Sequence, residues 1–484
     1  MTAVTIEDEL ARTRQVTSPR FSPPSTPLRS RLIHGAALLL WVLLAARAFG
    51  GDGLFAWSAG LAYIAYDTVL LAFVFWQTLA LLRPAAAPAP AGALPPVTII
   101  VAAHNEAASL PVTLAALLAQ TSQAETIVIA DDGSADDTAR LLRQEYGLVA
   151  VPGALSGPSA TYPALRWLRL PHNGKARALN VACALIDTEL VLTVDADTLL
   201  DPGALWAMRD AFAADPALVA ATGVLTPLCG SSVQGRLLQW FQTYEYVRNF
   251  LSRYAWMRVN GLLLISGAFA CYRRQALLAV GGFDPDCLVE DYELTHRLRD
   301  QAGREGLVWH TGVVGAAHAR TDAPSTPGAF LRQRRRWFGG FLQTQLWYRH
   351  MVGNPRYGRL GTAMLPVKAI DTLQPLYGLT GAVLLLDYLV TGRLGMIRSV
   401  SAVIAAKILL DLCFYIWSLY VYRRWVGNTS RTFLALAVLS AIIEPFSFQL
   451  LRHAGAALGW VSFLTGTRSW GVQERLGVGV SSAR

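Results

Sequence analysis

Ionisable side chains are scarce: Asp, Glu, Lys and Arg make up 15% of the 484 residues, whereas 53% are hydrophobic. Soluble globular chains carry about a quarter charged residues, so the balance excludes an ordinary soluble protein and points to a membrane protein. Cysteine is scarce as well. The five present, Cys183, Cys229, Cys271, Cys287 and Cys413, show no metal-ligand spacing, which leaves no zinc or iron–sulfur motif. A cytoplasmic domain keeps such thiols reduced. Acidic residues number 33 against 42 basic ones, a formal charge of +9. No nucleic-acid motif accompanies the excess, so it reads as anchoring at the cytoplasmic membrane surface, with no nucleic acid as partner.

What is abundant is apolar sequence in long runs. Residues 1–31, with Pro19, Pro23, Pro24 and Pro27 among Ser, Thr and Arg, are expected to be a disordered cytoplasmic tail. Residues 32–83 form a transmembrane hairpin, spans 32–49 and 54–82, each long enough for ~30 Å of hydrocarbon. A secretory signal ending near Ala48 competes for the first run, but the polar lead and the second span argue against it. Arg29, Arg31 and Arg83 flank the hairpin while its turn, Gly50-Gly51-Asp52-Gly53, has no positive charge, so both ends are cytoplasmic. Residues 84–96 are a stiff Ala/Pro linker. Membrane helices return over 360–467, with candidate spans 363–390, 400–422 and 432–451 and a shorter piece 454–464, followed by a C-terminal tail 468–484. Arg423, Arg424 and Arg431 place one of the loops in the cytoplasm, and the total is five or six spans in a multi-pass protein of the inner or plasma membrane.

Residues 97–327 read as a mixed, cytoplasmic domain. Buried-strand runs at 97–102, 126–130, 165–170 and 189–194 each end in polar residues, and the first two are each followed by a helical pattern. Such βαβ units imply a doubly wound, mostly parallel sheet that binds ligands at the strands' carboxyl ends. Asp195 and Asp197 lie where the fourth run gives way to a loop. Two carboxylates there can share one hard cation, Mg²⁺ or Mn²⁺, or can cap the helix that opens at Pro202. Lys175 and Arg177 at a helix start run against the helix dipole and call for an anion nearby, a diphosphate for instance. Asp131 and Asp132 suit a base or ribose, and Ser134 suits a helix cap.

His104-Asn105-Glu106, Asp131-Asp132-Gly133-Ser134, Gly174-Lys175-Ala176-Arg177-Ala178-Leu179-Asn180 and Asp195-Ala196-Asp197 together resemble the nucleotide-sugar half of family-2 glycosyltransferases with the GT-A fold. Val289-Glu290-Asp291 stands where that family has Thr-Glu-Asp, and Gln333-Arg334-Arg335-Arg336-Trp337 matches Gln-x-x-Arg-Trp of its processive branch: cellulose, chitin, hyaluronan and poly-N-acetylglucosamine synthases. The resemblance implies a UDP-sugar held by His104, Asn105, Glu106, Asp131, Asp132, Lys175, Arg177, Asn180 and Asp195. It implies Mg²⁺ or Mn²⁺ on Asp195 and Asp197, and Asp291 as general base beside Glu290. Ser266, Gly267, Gln333, Arg336 and Trp337 would hold acceptor and diphosphate, and His318 is a candidate third metal ligand. The ending Ser469-Trp470-Gly471-Val472-Gln473-Glu474-Arg475 is only loosely similar to a hyaluronan-synthase motif and takes no role.

Residues 328–359 carry the last motif on an interfacial amphipathic helix, with Phe330, Trp337, Phe338, Phe341 and Leu342 opposed by Arg332, Arg334 and Arg335. Beyond it Lys368, Asp371, Gln374, Asp387, Lys407, Asp411 and Glu444 are costly to expose to lipid and suggest a polar path for a glycan, or ion pairs within single helices. The expected activity is an inverting, metal-dependent transfer from a UDP-sugar that elongates a polysaccharide and passes it outward. The alternatives are addition of one sugar to a membrane lipid, and an inactive GT-A-like assembly subunit; a small accessory membrane subunit is a further partner left open.

Overall fold

The computed structural model describes residues 3–48, 54–83, 93–392, 394–427 and 433–466. Helices α1 (Ala3–Thr17), α2 (Leu28–Ala48) and α3 (Ser58–Thr78) precede the sheet domain. The turn at 50–53, linker residues 84–92, Arg431 and the tail 468–484 lie outside the described residues.

The β-branched runs form β1 (Val97–Ala103), β2 (Thr126–Asp132), β3 (Leu165–Leu170) and β4 (Leu190–Asp195), followed by β5 (Thr198–Leu200), β6 (Leu218–Leu228), β7 (Phe269–Arg273) and β8 (His310–Asp322). They make one sheet in the order β3-β2-β1-β4-β7-β6-β8-β5. The expected parallel, doubly wound half is β3-β2-β1-β4, in which Ile100 pairs with Val128 on one side and Thr193 on the other. Ile99 and Ile100 are fully buried, as a central strand covered on both faces requires. The other half is mixed: β7 runs antiparallel to both β4 and β6. Its direction has a local cause. The 264–268 segment before β7 lies against the carboxyl end of β4, where the Asp195 N–H donates to the Ala268 carbonyl (3.2 Å), so the chain can only return down the sheet.

Around the sheet lie α4 (Leu110–Leu118), α5 (Thr138–Gln144), α6 (Lys175–Ala184), α7 (Ala204–Ala214), α8 (Val233–Arg258), α9 (Arg274–Ala279), α10 (Glu290–Glu305) and α11 (Pro327–Trp347). The remainder is α12 (Leu365–Asp371), α13 (Gln374–Val390), α14 (Leu394–Val426), α15 (Phe433–Ile443) and α16 (Phe448–Leu464). Among the described residues four helical stretches are long and apolar enough to cross a membrane: Leu28–Ala48, Ser58–Leu82, Leu360–Val390 and Ile397–Val426. The expected 432–451 span is not continuous, because a 3₁₀ turn at Glu444–Phe446, with Pro445 at its start, separates α15 from α16.

α16 lies along α11 at very short range. A Cβ on Gly459 would stand 2.6 Å from the Phe338 Cβ, and one on Gly455 2.6 Å from the Arg334 Cβ. Only glycine permits this crossing. The N-terminal tail also departs from expectation. It is helical over α1 and docked: Arg14 Nη1 donates to the Gly281 carbonyl (2.6 Å), Thr17 Oγ1 to the Val280 carbonyl (2.9 Å), and Arg20 pairs with Asp284 (2.9 Å) and Asp286 (2.8 Å). These donors add to partners that the turn already has, since Arg297 Nη1 also donates to the Val280 carbonyl (2.7 Å) and the Asp286 N–H to Asp284 Oδ1 (3.0 Å).

Candidate active site

The strand order switches between β1 and β4, and the crevice there holds the acidic residues. Asp195 closes β4. Lys175 opens α6 after Gly174, whose φ of +97° favours glycine, and its Nζ lies 2.5 Å from Asp195 Oδ1 and 3.9 Å from Glu290 Oε1. Burial disfavours the ammonium, but Asp195, then Glu290, more than restore it and the Lys175 pKa lies above its ordinary value. Asp197 is only 8% exposed; burial first, then Asp195 and Asp322, pushes its carboxyl up to about 8. Asp322 ends β8, and its N–H donates to the Asp197 carbonyl (3.3 Å). Three crowded hard-oxygen carboxylates beside a single lysine fit a divalent cation such as Mg²⁺ or Mn²⁺, which would relieve their mutual repulsion. His318 is not part of that set. Its Nδ1 faces Asp201 Oδ2 (2.7 Å) and its Nε2 faces Thr226 Oγ1 (2.8 Å), so both ring nitrogens are already engaged.

Across the crevice, α10 begins with the acid pair. Asp291 Oδ2 accepts the Gly267 N–H (2.7 Å) and Oδ1 accepts the Tyr292 N–H (2.8 Å), which fixes the carboxylate over the small-residue segment before β7. A Cβ on Gly267 would stand 3.1 Å from that oxygen. Glu290 is buried; desolvation raises its pKa, and Lys175, with Arg336 further down, opposes the rise. Val289, the departure from Thr-Glu-Asp, packs on α11: a Cβ on Gly340 would lie 2.5 Å from its Cγ2.

One cavity of ≈ 1190 Å³ is lined by Lys175, Asp195, Asp197, Ser266, Gly267, Glu290, Asp291, Gln333, Arg336 and Trp337, which brings ten of the expected site residues together. It continues between the apolar helices past Lys368 with Asp371 (2.7 Å), Lys407 with Asp67 (2.7 Å) and Asp411, and Arg248 with Glu444. Lys407 thus joins α14 to α3, and Arg248 joins α8 to the turn before α16, so these are not merely pairs within one helix. The chain has only three lysines, Lys175, Lys368 and Lys407, and all three face this cavity.

The other expected donor residues do not line it. Asp131 is 0% exposed, with Oδ1 accepting the Ser134 N–H (2.8 Å) and Oδ2 the Trp167 Nε1–H (3.2 Å), and it shapes the loop from inside. Asn180 is likewise turned inward, donating Nδ2–H to the Phe283 carbonyl (2.9 Å) and accepting the Phe283 N–H (2.7 Å). Glu106 is buried against Ser109 (2.5 Å). Arg177 points toward Glu7 of α1 (3.8 Å) rather than into the crevice. Asn105, at φ +59°, accepts the Ala135 N–H (2.8 Å) at the exposed rim. His104, Asp132 and His172 bring ligand-type atoms within 4.8 Å of one another. The two imidazoles, however, stack at 4.1 Å and 23°, so their in-plane lone pairs run side by side instead of converging. Asp132 is also consumed by the N–H groups of Asn173 (2.7 Å) and Gly174 (3.0 Å); the cluster braces the rim and is a poor metal centre.

Three site residues escaped the sequence reading. Asp322 ends a strand just as Asp195 does, which was a usable signal. Arg334, assigned to the polar face of α11, is buried against Glu245 (2.6 Å) and stacks on Trp337 (4.5 Å), because that side of α11 faces α8 and not water. Arg253 of α8 lines the cavity with no motif to announce it.

A glycosyltransferase-like family 2 profile matches residues 95–340. Poly-beta-1,6-N-acetyl-D-glucosamine synthases from Staphylococcus aureus are 29% identical over 252 residues, 50% of this chain and 54% of theirs. The enzyme of that name from Staphylococcus epidermidis is 27% identical over 254 residues, with the same coverage of 50% and 54%. The alignment thus spans about half the length of these relatives. Among solved structures, the mannosyltransferase PcManGT from Pyrobaculum calidifontis, in complex with GDP-Man and Mn²⁺, superposes with a TM-score of 0.55 at 18% identity, covering 85% of this chain and 99% of that one, and so shares the fold. With its sheet order, its acidic crevice and a family match over half its length, the chain belongs to glycosyltransferase family 2.

Proposed function

We propose that this glycosyltransferase elongates a polysaccharide from a UDP-sugar at the cytoplasmic face of the membrane, with inversion and with a divalent cation, and passes the product outward between its membrane helices. The observation that carries the reading is the continuity of the cavity, which runs from Asp195, Asp197 and Asp291 to the ion-paired polar residues among the apolar helices. N-acetylglucosamine is the first sugar to test, given the names of the curated relatives.

Asp291, held by two N–H groups, accepts the proton of the attacking hydroxyl as its oxygen bonds the sugar's anomeric carbon. The bond from that carbon to the diphosphate breaks with its electrons going to phosphate, next to Lys175 and Arg336. Mg²⁺ or Mn²⁺ on Asp195 and Asp197, with Asp322 beside them, would neutralise further charge there. Trp337 offers a ring that stacks on successive acceptor sugars without reading their hydroxyls.

The test is a panel of labelled UDP-sugars given to sealed vesicles, with product sizing and a protection assay. Long chains inside the vesicles are expected from wild type, and markedly shorter ones from Trp337→Ala. A single-sugar adduct on lipid would replace the polymerising reading with the lipid-modifying one.

A further inference from the structure

The family match begins at residue 95, yet the segment ahead of the first membrane helix reaches two parts of the active site. α1 lies directly on the 280–286 turn: a Cβ on Gly281 would stand 2.7 Å from Arg14 Cγ and 2.8 Å from the Leu10 carbonyl oxygen, an approach that glycine at φ +86° allows. Arg304 Nη2, near the end of α10, donates to the Thr17 carbonyl (2.7 Å) and ties α1 to that helix as well. Just beyond α1, Arg20 grips the same turn. Its Nη1 donates to Asp284 Oδ1 (3.0 Å) and Oδ2 (2.9 Å) and its Nη2 to Asp286 Oδ2 (2.8 Å), while its guanidinium carbon sits 5.3 Å from the centre of the Trp347 ring. Trp347 ends α11. Arg349 follows, and its Nε donates to Thr26 Oγ1 (2.8 Å) while its carbonyl accepts from Ser30 Oγ (2.7 Å).

Arg20 therefore joins two segments that arrive at the crevice from different directions. Asp284 and Asp286 lead into the acid pair at the start of α10, and Trp347 closes the helix that carries Arg336 and Trp337. α10 and α11 also touch directly, through Val289 on Gly340 and through Tyr348 Oη, which donates to Glu293 Oε1 (2.6 Å). On the lead-in itself, the Leu288 N–H reaches Gln343 Oε1 of α11 only at 3.5 Å, and among the described residues the ion pairs of Asp284 and Asp286 are those with Arg20. A guanidinium suits the place because its fork takes two carboxylates while its face takes a ring. We infer that Arg20 is a positioning residue for transfer: by fastening the Asp284–Asp286 turn to the end of α11, it fixes the Asp291 carboxylate with respect to Arg336 and Trp337. The inference rests on the transferase reading above and adds to it a working part outside the family-matched region. A shift of about 1 Å at reacting groups can cost about a hundredfold in rate, so loosening one of several links should cost less.

The test uses Arg20→Ala, Arg20→Lys and Asp286→Asn in the full chain, purified in nanodiscs. Titration with UDP by calorimetry counts the folded sites, and kcat and KM for transfer from UDP-N-acetylglucosamine to an added N-acetylglucosamine oligosaccharide are then measured per site. The kcat per site should fall on the order of tenfold in Arg20→Ala, and by less in Arg20→Lys and Asp286→Asn, each of which keeps part of the link. UDP affinity and the KM for donor should stay within about twofold, since Lys175, Asp195 and Asp197 belong to α6 and to the end of β4. The Asp286 side chain is 55% exposed, so Asp286→Asn and Arg20→Lys decide the matter where Arg20→Ala yields no folded protein. A wild-type kcat per site in every variant that folds would make the link purely structural and overturn the inference. So would a donor KM that rises in step with the fall in kcat. Wild-type protein that transfers from no nucleotide sugar would instead overturn the transferase reading beneath it.

Discussion

The strand ends on the two sides of the β1/β4 switch are equally polar in sequence, yet they use that polarity in opposite ways. Around β1, β2 and β3 the polar groups are saturated by the scaffold itself: Asp131 by Ser134 and Trp167, Asp132 by Asn173 and Gly174, Asn180 by Phe283. Around β4 the carboxylates of Asp195, Asp197 and Asp322 crowd one another, and burial, with that crowding added, makes Asp197 hard to ionise. Saturated groups define a shape, whereas crowded like charges are stabilised when a cation or a diphosphate arrives. Membership of a motif does not say which of the two a residue does.

The comparison breaks first at Asp291, the crevice residue held ready by backbone N–H groups. Asp291→Asn should cut transfer about a thousandfold while UDP binding, measured by calorimetry, is retained; transfer at a wild-type rate would move the base elsewhere. Next, Asp197→Ala or chelation should lower transfer by roughly a hundredfold, with Mn²⁺ or Mg²⁺ rescuing only the chelated wild type. Full transfer in excess EDTA would make the carboxylate crowd purely structural.

On the saturated side the expected effect falls on stability. Asn180→Ala leaves the Phe283 N–H and C=O without partners, a loss of about 1–3 kcal/mol, read as a lower midpoint of thermal inactivation, with UDP affinity kept by the protein that remains folded. A variant that melts like wild type but no longer binds UDP would erase the distinction between the two sides. The smallest effect is expected at His318→Ala, which loses contacts to Asp201 and Thr226 and should leave the Mn²⁺ dependence of transfer within about twofold of wild type.

Much of this architecture was readable from the chain. β-branched runs that end in polar residues located β1 to β4, a strand end located Asp195 and Asp197, and the resemblance to Thr-Glu-Asp located Asp291. The inward turn of Asn180 was not readable, because its partner Phe283 is 103 residues away. Nor was the antiparallel course of β7, which is set by contact with β4 and not by its own sequence. Pro445 was a visible warning that the 432–451 run would break, yet continuous apolar composition hides a turn of three residues. The prolines after α1 suggested a disordered tail, but α1 forms and tertiary contacts to 280–286 hold the segment in place.

Those contacts also set an order of events at the ribosome. Arg14 and Gly281 are 267 residues apart, so at about 5–20 residues per second α1 emerges roughly 13–50 s before its docking site exists. In that interval α2 and α3, both part of stretches long and apolar enough to cross a membrane, are made. The turn leading into Val289-Glu290-Asp291 therefore acquires its contacts with α1 late, from a segment made long before it.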